Sequence, residues 1–243
     1  MIDNDIKLEI EEDAKNSFPK ECCGILLNID GKQAYHKCRN VALGHEEQDF
    51  IMEPLDYMDA EDRGEVLAII HSHPNASEQP SEADKISCEK SGKPWFIVSY
   101  PELKWAQIDP TGIKQPLMGR SFIYGISDCQ TLFIDYYEEV LGIDNIKYFP
   151  SEYEWWNNGK NYYEENWDSW TEGSFVKIKH HRDMQEHDVL LLQILSTVCN
   201  HAAIYLGGNM IMHHLMGRLS TKDIYGEYYQ KNTVHVLRHK SLC

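Results

Sequence analysis

Apolar residues recur every fourth position at the start of the chain, at Ile6, Ile10, Ala14 and Phe18, with acids on the other faces. That spacing predicts an amphipathic helix over residues 2–18, ended by Pro19. The pattern then changes period. Cys23-Gly24-Ile25-Leu26-Leu27 reads as a strand, Asp30-Gly31-Lys32 as a turn, and residues 34–38 as the returning strand. Residues 40–53 are irregular apart from a short strand at Phe50-Ile51-Met52, and Pro54–Arg63, rich in acids, suits a solvent-facing helix. Val66-Leu67-Ala68-Ile69-Ile70 is an uninterrupted apolar run, as expected of a strand covered on both faces. Ser81 is placed to cap a short helix over residues 82–89, and residues 91–94 break it. Trp95–Tyr100 and residues 103–108 then form a hairpin around Pro101-Glu102.

Gly112, Pro116 and Gly119 punctuate residues 112–120, and a boundary is expected there between a domain over 1–115 and another over 120–243. Beyond it, Leu132, Phe133, Tyr136, Tyr137, Val140 and Leu141 recur at helical spacing within residues 130–142. Cys129 therefore lies at a helix N-terminus, with Asp128 or Ser127 as cap. Residues 150–175 hold Trp155, Trp156, Trp167 and Trp170, which suits either a cradle for a sugar or peptide or partly buried packing. Residues 189–195 read as a buried strand. Residues 200–206 and 210–214 make a hairpin around Gly207-Gly208-Asn209.

Charge narrows the partners. Asp and Glu number 39 against 23 Lys and Arg, a formal net charge of −16, whereas nucleic acid calls for a basic face. No nucleic-acid partner is expected. The start, Met1-Ile2-Asp3-Asn4-Asp5, lacks the basic and apolar regions of a signal peptide. The longest apolar runs, residues 66–70 and 189–192, are too short to cross a bilayer. The expectation is a soluble protein of the cytosol with no transmembrane segment. Seven cysteines without a C-x-x-C pair point away from a disulfide framework or a four-cysteine zinc site.

His71-Ser72-His73-Pro74 extends the apolar run of residues 66–70, and Ser81 and Asp84 follow. Residues two apart on an extended backbone point to one side, so the two imidazoles can converge at the strand's end, where Pro74 stops it. Two neutral imidazoles and a carboxylate are three zinc ligands, and a fourth position left to water marks a catalytic site. Activated water needs a base, for which Glu21 at the edge of the first strand is the candidate. Zinc lowers the pKa of bound water from roughly 15.7 to about 7, so a carboxylate can finish the activation. Ser81 could hydrogen-bond the oxyanion of a tetrahedral intermediate.

Glu21-Cys22-Cys23-Gly24-Ile25-Leu26, followed by His71-Ser72-His73-Pro74, Ser81 and Asp84, resembles the JAMM metallopeptidases of the Mov34/MPN superfamily over roughly residues 1–110. The resemblance implies hydrolysis of peptide or isopeptide bonds with one Zn2+. It makes His71, His73 and Asp84 the ligands, Glu21 the acid–base and Ser81 the oxyanion partner.

The second half carries a thiol chemistry of its own. Cys129 at a helix N-terminus feels the positive end of the backbone dipole, which favours the thiolate. His201 is the partner of choice, on a strand whose one face carries His201, Ala203 and Tyr205. A third group must orient that ring. A three-residue turn would set His213 opposite His201, and a Gly207-Gly208 turn would set His214 there.

Asp128-Cys129, Glu186-His187-Asp188-Val189 and Asn200-His201 with Ile204-Tyr205-Leu206-Gly207 resemble the NlpC-type cysteine peptidases over about residues 120–225. That family is papain-like and mostly cleaves the peptide stems of bacterial cell wall. Its pattern places the third polar residue about twelve after the histidine, which selects His213. The departure is at Glu186-His187-Asp188, where a glycine is common before the aspartate; it is expected to affect a turn rather than the chemistry. Together the two resemblances imply an α+β chain of two domains, an N-terminal JAMM/MPN-like mixed sheet with flanking helices and a C-terminal papain-like NlpC-type domain.

That domain order is similar to a family of bacteriophage tail-tip proteins. It implies a bifunctional peptidase acting in tail assembly or in penetration of the host wall. Other tail-tip proteins would be partners, and peptidoglycan stem peptides or a tail protein the substrate. The implied locations are the host cytoplasm during assembly, the virion tail tip, and the host periplasm on entry. The alternative is a structural assembly factor whose catalytic sites are weak or unused.

Overall fold

A computed structural model describes residues 2–42, 44–146, 148, 155–166 and 173–243. The chain forms two compact units, Met1–Lys114 and Gln115–Cys243. Among the described residues, no helix is long and apolar enough to cross a membrane.

The first unit is built on a mixed sheet of β1 (Cys23–Ile29), β2 (Lys32–Cys38), β3 (Glu65–Pro74), β4 (Trp95–Tyr100) and β5 (Trp105–Ile108), in the order β2-β1-β3-β4-β5. Only β3 and β4 run parallel. Helix α1 (Asn4–Ser17) lays Ile6, Ile10 and Ala14 on one face against Leu26, Ala68 and Ile70. On the other face Ile25, Leu27 and Ile69 pack with Ala60 of α2 (Pro54–Arg63) and Cys88 of α3 (Glu82–Ser91). Both faces are covered, which is why β1 and β3 read as unbroken apolar runs. A bulge helps aim β3: Leu26 faces Ala68 but Leu27 faces Val66, so Leu67 is the extra residue. Ile69, His71 and His73 then share the face toward α2 and α3.

Several boundaries differ from the sequence reading. Phe18 lies beyond α1 and is 42% exposed, because the helix ends before it can turn the ring inward. Phe50-Ile51-Met52 is not a strand; only an isolated bridge joins Met52 to Asn40. The amide of Asn40 supplies the order there instead, donating to the carbonyls of Glu21 and Asp49 and accepting from the amides of Ala42 and Ile51. The last strand of the unit begins at Trp105 rather than at residue 103, since Leu103 takes a positive φ in the turn.

The second unit is a six-stranded antiparallel sheet, ordered β10-β9-β8-β7-β11-β6. Its strands are β6 (Phe175–Lys177), β7 (Val189–Leu192), β8 (His201–Tyr205), β9 (Met210–His213), β10 (Thr221–Ile224) and β11 (Thr233–His239). Helix α4 (Cys129–Leu141) packs Leu132, Phe133, Tyr136 and Tyr137 against Leu191, Ala202, Ile204 and Met212. Val140, expected on that stripe, is 52% exposed, whereas Leu141 beside it packs against the core. The strand expected to reach residue 195 stops at Leu192, and Leu195 is 96% exposed. The side chain of Asn200 closes the loop instead, bonding both the amide and the carbonyl of Ile194. Arg120, placed in the expected linker, is buried in this unit, where it pairs with Asp135 and its amide donates to Ser220 Oγ at 2.9 Å. Trp155 is buried, with Trp156 packed beside it, whereas Trp167 and Trp170 lie outside the described residues.

The hairpin register also departs from expectation. Leu206 and Met210 close a three-residue turn, yet His213 faces Ala203, not His201. Pairs in this hairpin step outward from 206 and 210, so the residue opposite 203 is 213. His201 and His213 are diagonal neighbours on one face, within reach of long side chains.

Candidate metal and thiol sites

Two features of β3 place the first site. His71 and His73 project to one side, and between them Ser72 points the other way, its Oγ accepting from the Cys22 amide at 2.8 Å. That bond pins the histidine end of β3 to the segment carrying Glu21. Asp84 arrives from the first turn of α3, whose N-cap is Ser81. The Ser81 hydroxyl oxygen accepts from the Asp84 amide at 3.1 Å, and the Ser81 amide donates to Asp84 Oδ2 at 2.6 Å. This reciprocal pair fixes the carboxylate rotamer. Ser81 is exposed and its O–H remains a possible donor.

The three side chains converge. His71 Nε2 is 3.1 Å from both His73 Nε2 and Asp84 Oδ1, and His73 Nε2 is 3.4 Å from Asp84 Oδ2. Ligands about 2.0–2.1 Å from a tetrahedral zinc stand about 3.3 Å apart, so the spacing fits such an ion. Tautomers fit as well. His73 Nδ1 donates to the Ser77 carbonyl at 2.7 Å, which leaves Nε2 to offer a lone pair. His71 is buried between Phe50 and Trp95, its ring centroid 4.7 Å from that of Phe50, and its Nδ1 has no partner among the described residues. His, His and Asp are therefore a possible metal site.

Burial lowers the pKa of His71. Burial also acts against His73, but Asp84, the Ser77 carbonyl and Glu21 together raise it. Asp84 is desolvated, yet hydrogen bonds from His71 and His73 hold its carboxyl well below the usual range. Glu21, only 6% exposed, is pushed up to about 8 by burial; His73 opposes that rise, and Asp84 and Asp49 add to it. Ser72, within the His71–Pro74 motif, and Phe50, Trp95 and the Ser77 carbonyl, which no motif in the sequence marks, hold the site together.

In the second unit, Asp128 rather than Ser127 caps α4, accepting from the amides of Gln130 and Thr131 at 3.0 and 2.9 Å. Cys129 opens the helix, partly exposed, its Sγ 3.7 Å from Tyr163 Oη. Burial, then the Asp128 carboxylate, pushes the thiol up to about 12. The helix dipole, expected to favour the thiolate, is outweighed by lost hydration and by a carboxylate one residue away.

His201 Nε2 lies 3.1 Å from His213 Nδ1, His213 Nε2 lies 3.3 Å from Asp223 Oδ2, and Tyr229 donates to the same oxygen at 3.2 Å. The carboxylate end orients the chain. If Asp223 accepts from His213 Nε2, then His213 Nδ1 accepts from His201 Nε2, and His201 Nδ1 keeps the basic lone pair. Burial lowers both rings, so the neutral forms are favoured. The structure thus brings His213 to His201. His214 instead donates to the Arg218 carbonyl at 3.2 Å and packs on Phe122. Asp223 and Tyr229 were invisible in the sequence, since they come from an edge strand and a helix with no motif of their own. Cys129 and His201 line one cavity of about 570 Å³, together with Trp155, Trp156, Tyr163 and Arg218. His187 takes a φ of +77°, the conformation for which glycine is favoured, and its carbonyl accepts from Tyr137 Oη. Asp188 behind it is fully buried and paired with Arg238 through two contacts of 2.8 Å.

The family of prokaryotic homologs of the JAB domain matches residues 3–108, and the NlpC/P60 family matches residues 119–238. A tail tip assembly protein K of Escherichia phage N15 is 39% identical over 231 residues, covering 94% of this chain and 92% of that protein. The chain belongs to the tail tip assembly protein K family. Its member from Escherichia phage lambda is 36% identical over 190 residues, covering 78% of this chain and 90% of that protein. A JAB1/MPN domain protein of known structure from Archaeoglobus fulgidus is 25% identical, covering 45% of this chain and 87% of its own, with a TM-score of 0.30. This family member thus has an α+β architecture of a JAB/MPN-like mixed sheet followed by an NlpC/P60 domain.

Proposed function

We propose that this protein is a bifunctional peptidase of the phage tail tip, with a zinc-dependent amide or isopeptide hydrolase in its first domain and a Cys-His peptidoglycan endopeptidase in its second. The observation that carries the proposal is the convergence of His71, His73 and Asp84 beside a buried Glu21. Zinc held there would supply Lewis-acid polarisation of the scissile carbonyl and acidify water. Glu21 takes the proton from the attacking water and returns it to the leaving amine. Burial raises its carboxyl toward neutrality, where it can hold a proton, and a cation at the neighbouring ligands would favour the carboxylate that accepts one. Ser81 donates its O–H to the developing oxyanion.

In the second domain Cys129 Sγ attacks the substrate carbonyl. The resting thiol is protonated, so its proton passes to His201 as the S–C bond forms. His201 then gives that proton to the leaving amine, and water hydrolyses the thioester. His213 holds the ring and its tautomer. Trp155 and Trp156 give the cavity flat apolar walls. The relatives' name supports a place in tail-tip assembly; assembly in the host cytoplasm and action on the wall from the virion are part of the proposal.

A second reading, an assembly factor with idle sites, is favoured by the surroundings of Cys129, where lost hydration and the neighbouring Asp128 carboxylate push the thiol up and disfavour the thiolate. Three variants separate the two: Glu21→Ala, Cys129→Ala and the double, scored for muropeptide cleavage and infectious particle yield. Normal infectious particles from both single variants would defeat the peptidase reading. Identical muropeptide release by wild type and Cys129→Ala would remove its second half.

A further inference from the structure

Away from both sites, three metal-binding side chains from separate parts of the second unit meet. Glu164 belongs to the short helix α5 (Tyr162–Glu165), Cys199 precedes β8, and His235 lies on β11. A carboxylate oxygen, the thiol sulfur and an imidazole nitrogen all lie within 4.8 Å of one another. Glu164 Oε1 and His235 Nε2 are in close contact. Cys199 is fully buried and forms no disulfide among the described residues. The register of β11 slips between Thr233 and His235, a bulge of the kind that re-aims a side chain.

We propose that Glu164, Cys199 and His235 form a second divalent-metal site, built for zinc. Thiolate, imidazole and carboxylate together suit a borderline-soft ion and disfavour Mg2+ or Ca2+, which select oxygen. Binding converts the thiol to a thiolate bonded to the ion and releases one proton to solvent. The Lys177 ammonium is the cation that acts on Cys199, and Glu164 the anion. Such an ion ties α5 to β11 and to the turn before β8. Tyr163, beside Glu164 on α5, touches Cys129, and Cys199 stands two residues before His201. The ion therefore braces two walls of the thiol cavity and takes no part in its chemistry.

Cobalt distinguishes this site from the first, because only this one has a sulfur ligand. The full chain, stripped with a chelator and reloaded with Co2+, is expected to show a thiolate-to-cobalt charge-transfer band. That band should vanish in Cys199→Ser and in His235→Ala, and weaken about ten- to a hundredfold in apparent affinity in Glu164→Gln. It should persist in Cys129→Ala and in the double variant His71→Ala/His73→Ala, which loses one bound equivalent. Circular dichroism is to check that each variant is folded; exposed Glu164 and half-buried His235 give the reading if the buried cysteine does not tolerate change. No band in the wild type, a band that survives Cys199→Ser, or one lost in Cys129→Ala overturns the proposal. If His71→Ala/His73→Ala binds as much metal as wild type while the band still depends on Cys199, the first site fails and this one stands.

Discussion

The two candidate sites solve the same chemical problem from opposite starting points. In the first, His71, His73 and Asp84 sit within fourteen residues of chain and crowd their lone pairs at 3.1–3.4 Å. Without a cation that crowding is satisfied only by shared protons. In the second, Cys129, His201, His213 and Asp223 are spread over nearly a hundred residues, and the relay from His201 to Asp223 is complete without any ion. A site made by a strand end and one helix turn is written locally. A site made by a hairpin, an edge strand and a distant helix depends on register and burial.

The sharpest way to break this contrast is to remove one chemical group on each side. Glu21→Gln should lower first-site turnover by about 10²–10⁴-fold while metal content, measured by mass spectrometry, stays at the wild-type level. Cys129→Ala should abolish second-site cleavage outright and leave the first site's rate unchanged. Loss of both activities in either variant would mean that the sites are not separate.

A smaller effect tests the relay. Asp223→Asn should lower second-site turnover by on the order of 10²-fold, because an amide no longer fixes the tautomer of His213. The pH–rate profile should flatten together with the rate. Tyr229→Phe, which removes one hydrogen bond to the same carboxylate, should cost about tenfold or less.

Acidity sharpens the contrast further. In chelator-treated protein the Glu21 carboxyl is raised from the ordinary 4.5 to about 8 in the folded state. Its folded pKa exceeds its unfolded one, so its contribution to stability is full below about 4.5 and is lost as pH rises through about 8. Thermal melts of the metal-free protein should fall by several degrees over that window, and Glu21→Gln should remove the slope. No change of slope on Glu21→Gln would place Glu21 in water, and a wild-type contribution of opposite sign would mean a carboxylate stabilised in the folded state. On stability the smallest effect is expected from Ser81→Ala, which removes the N-cap of α3 and should cost about 1 kcal/mol in denaturant titrations, apart from its effect on first-site turnover.

The sequence itself determined most of the first site. An HxH pair at the end of an apolar run, with a capping serine three residues before an aspartate, fixes strand, stop and helix start by local rules alone. It also determined that Cys129 opens a helix, since Asp128 and the apolar spacing behind it leave few alternatives. Tertiary structure alone decided the rest. Counting along the hairpin could not establish which histidine meets His201, because the two rings touch on a diagonal and the register depends on how the turn closes. Asp223 could not be read at all, as an acid on an edge strand looks like any solvated charge. The pKa of Cys129 likewise belongs to the folded molecule: a helix start favours a thiolate by a local field, but burial removes the water that would have stabilised it, and burial is not a property of any one stretch of chain.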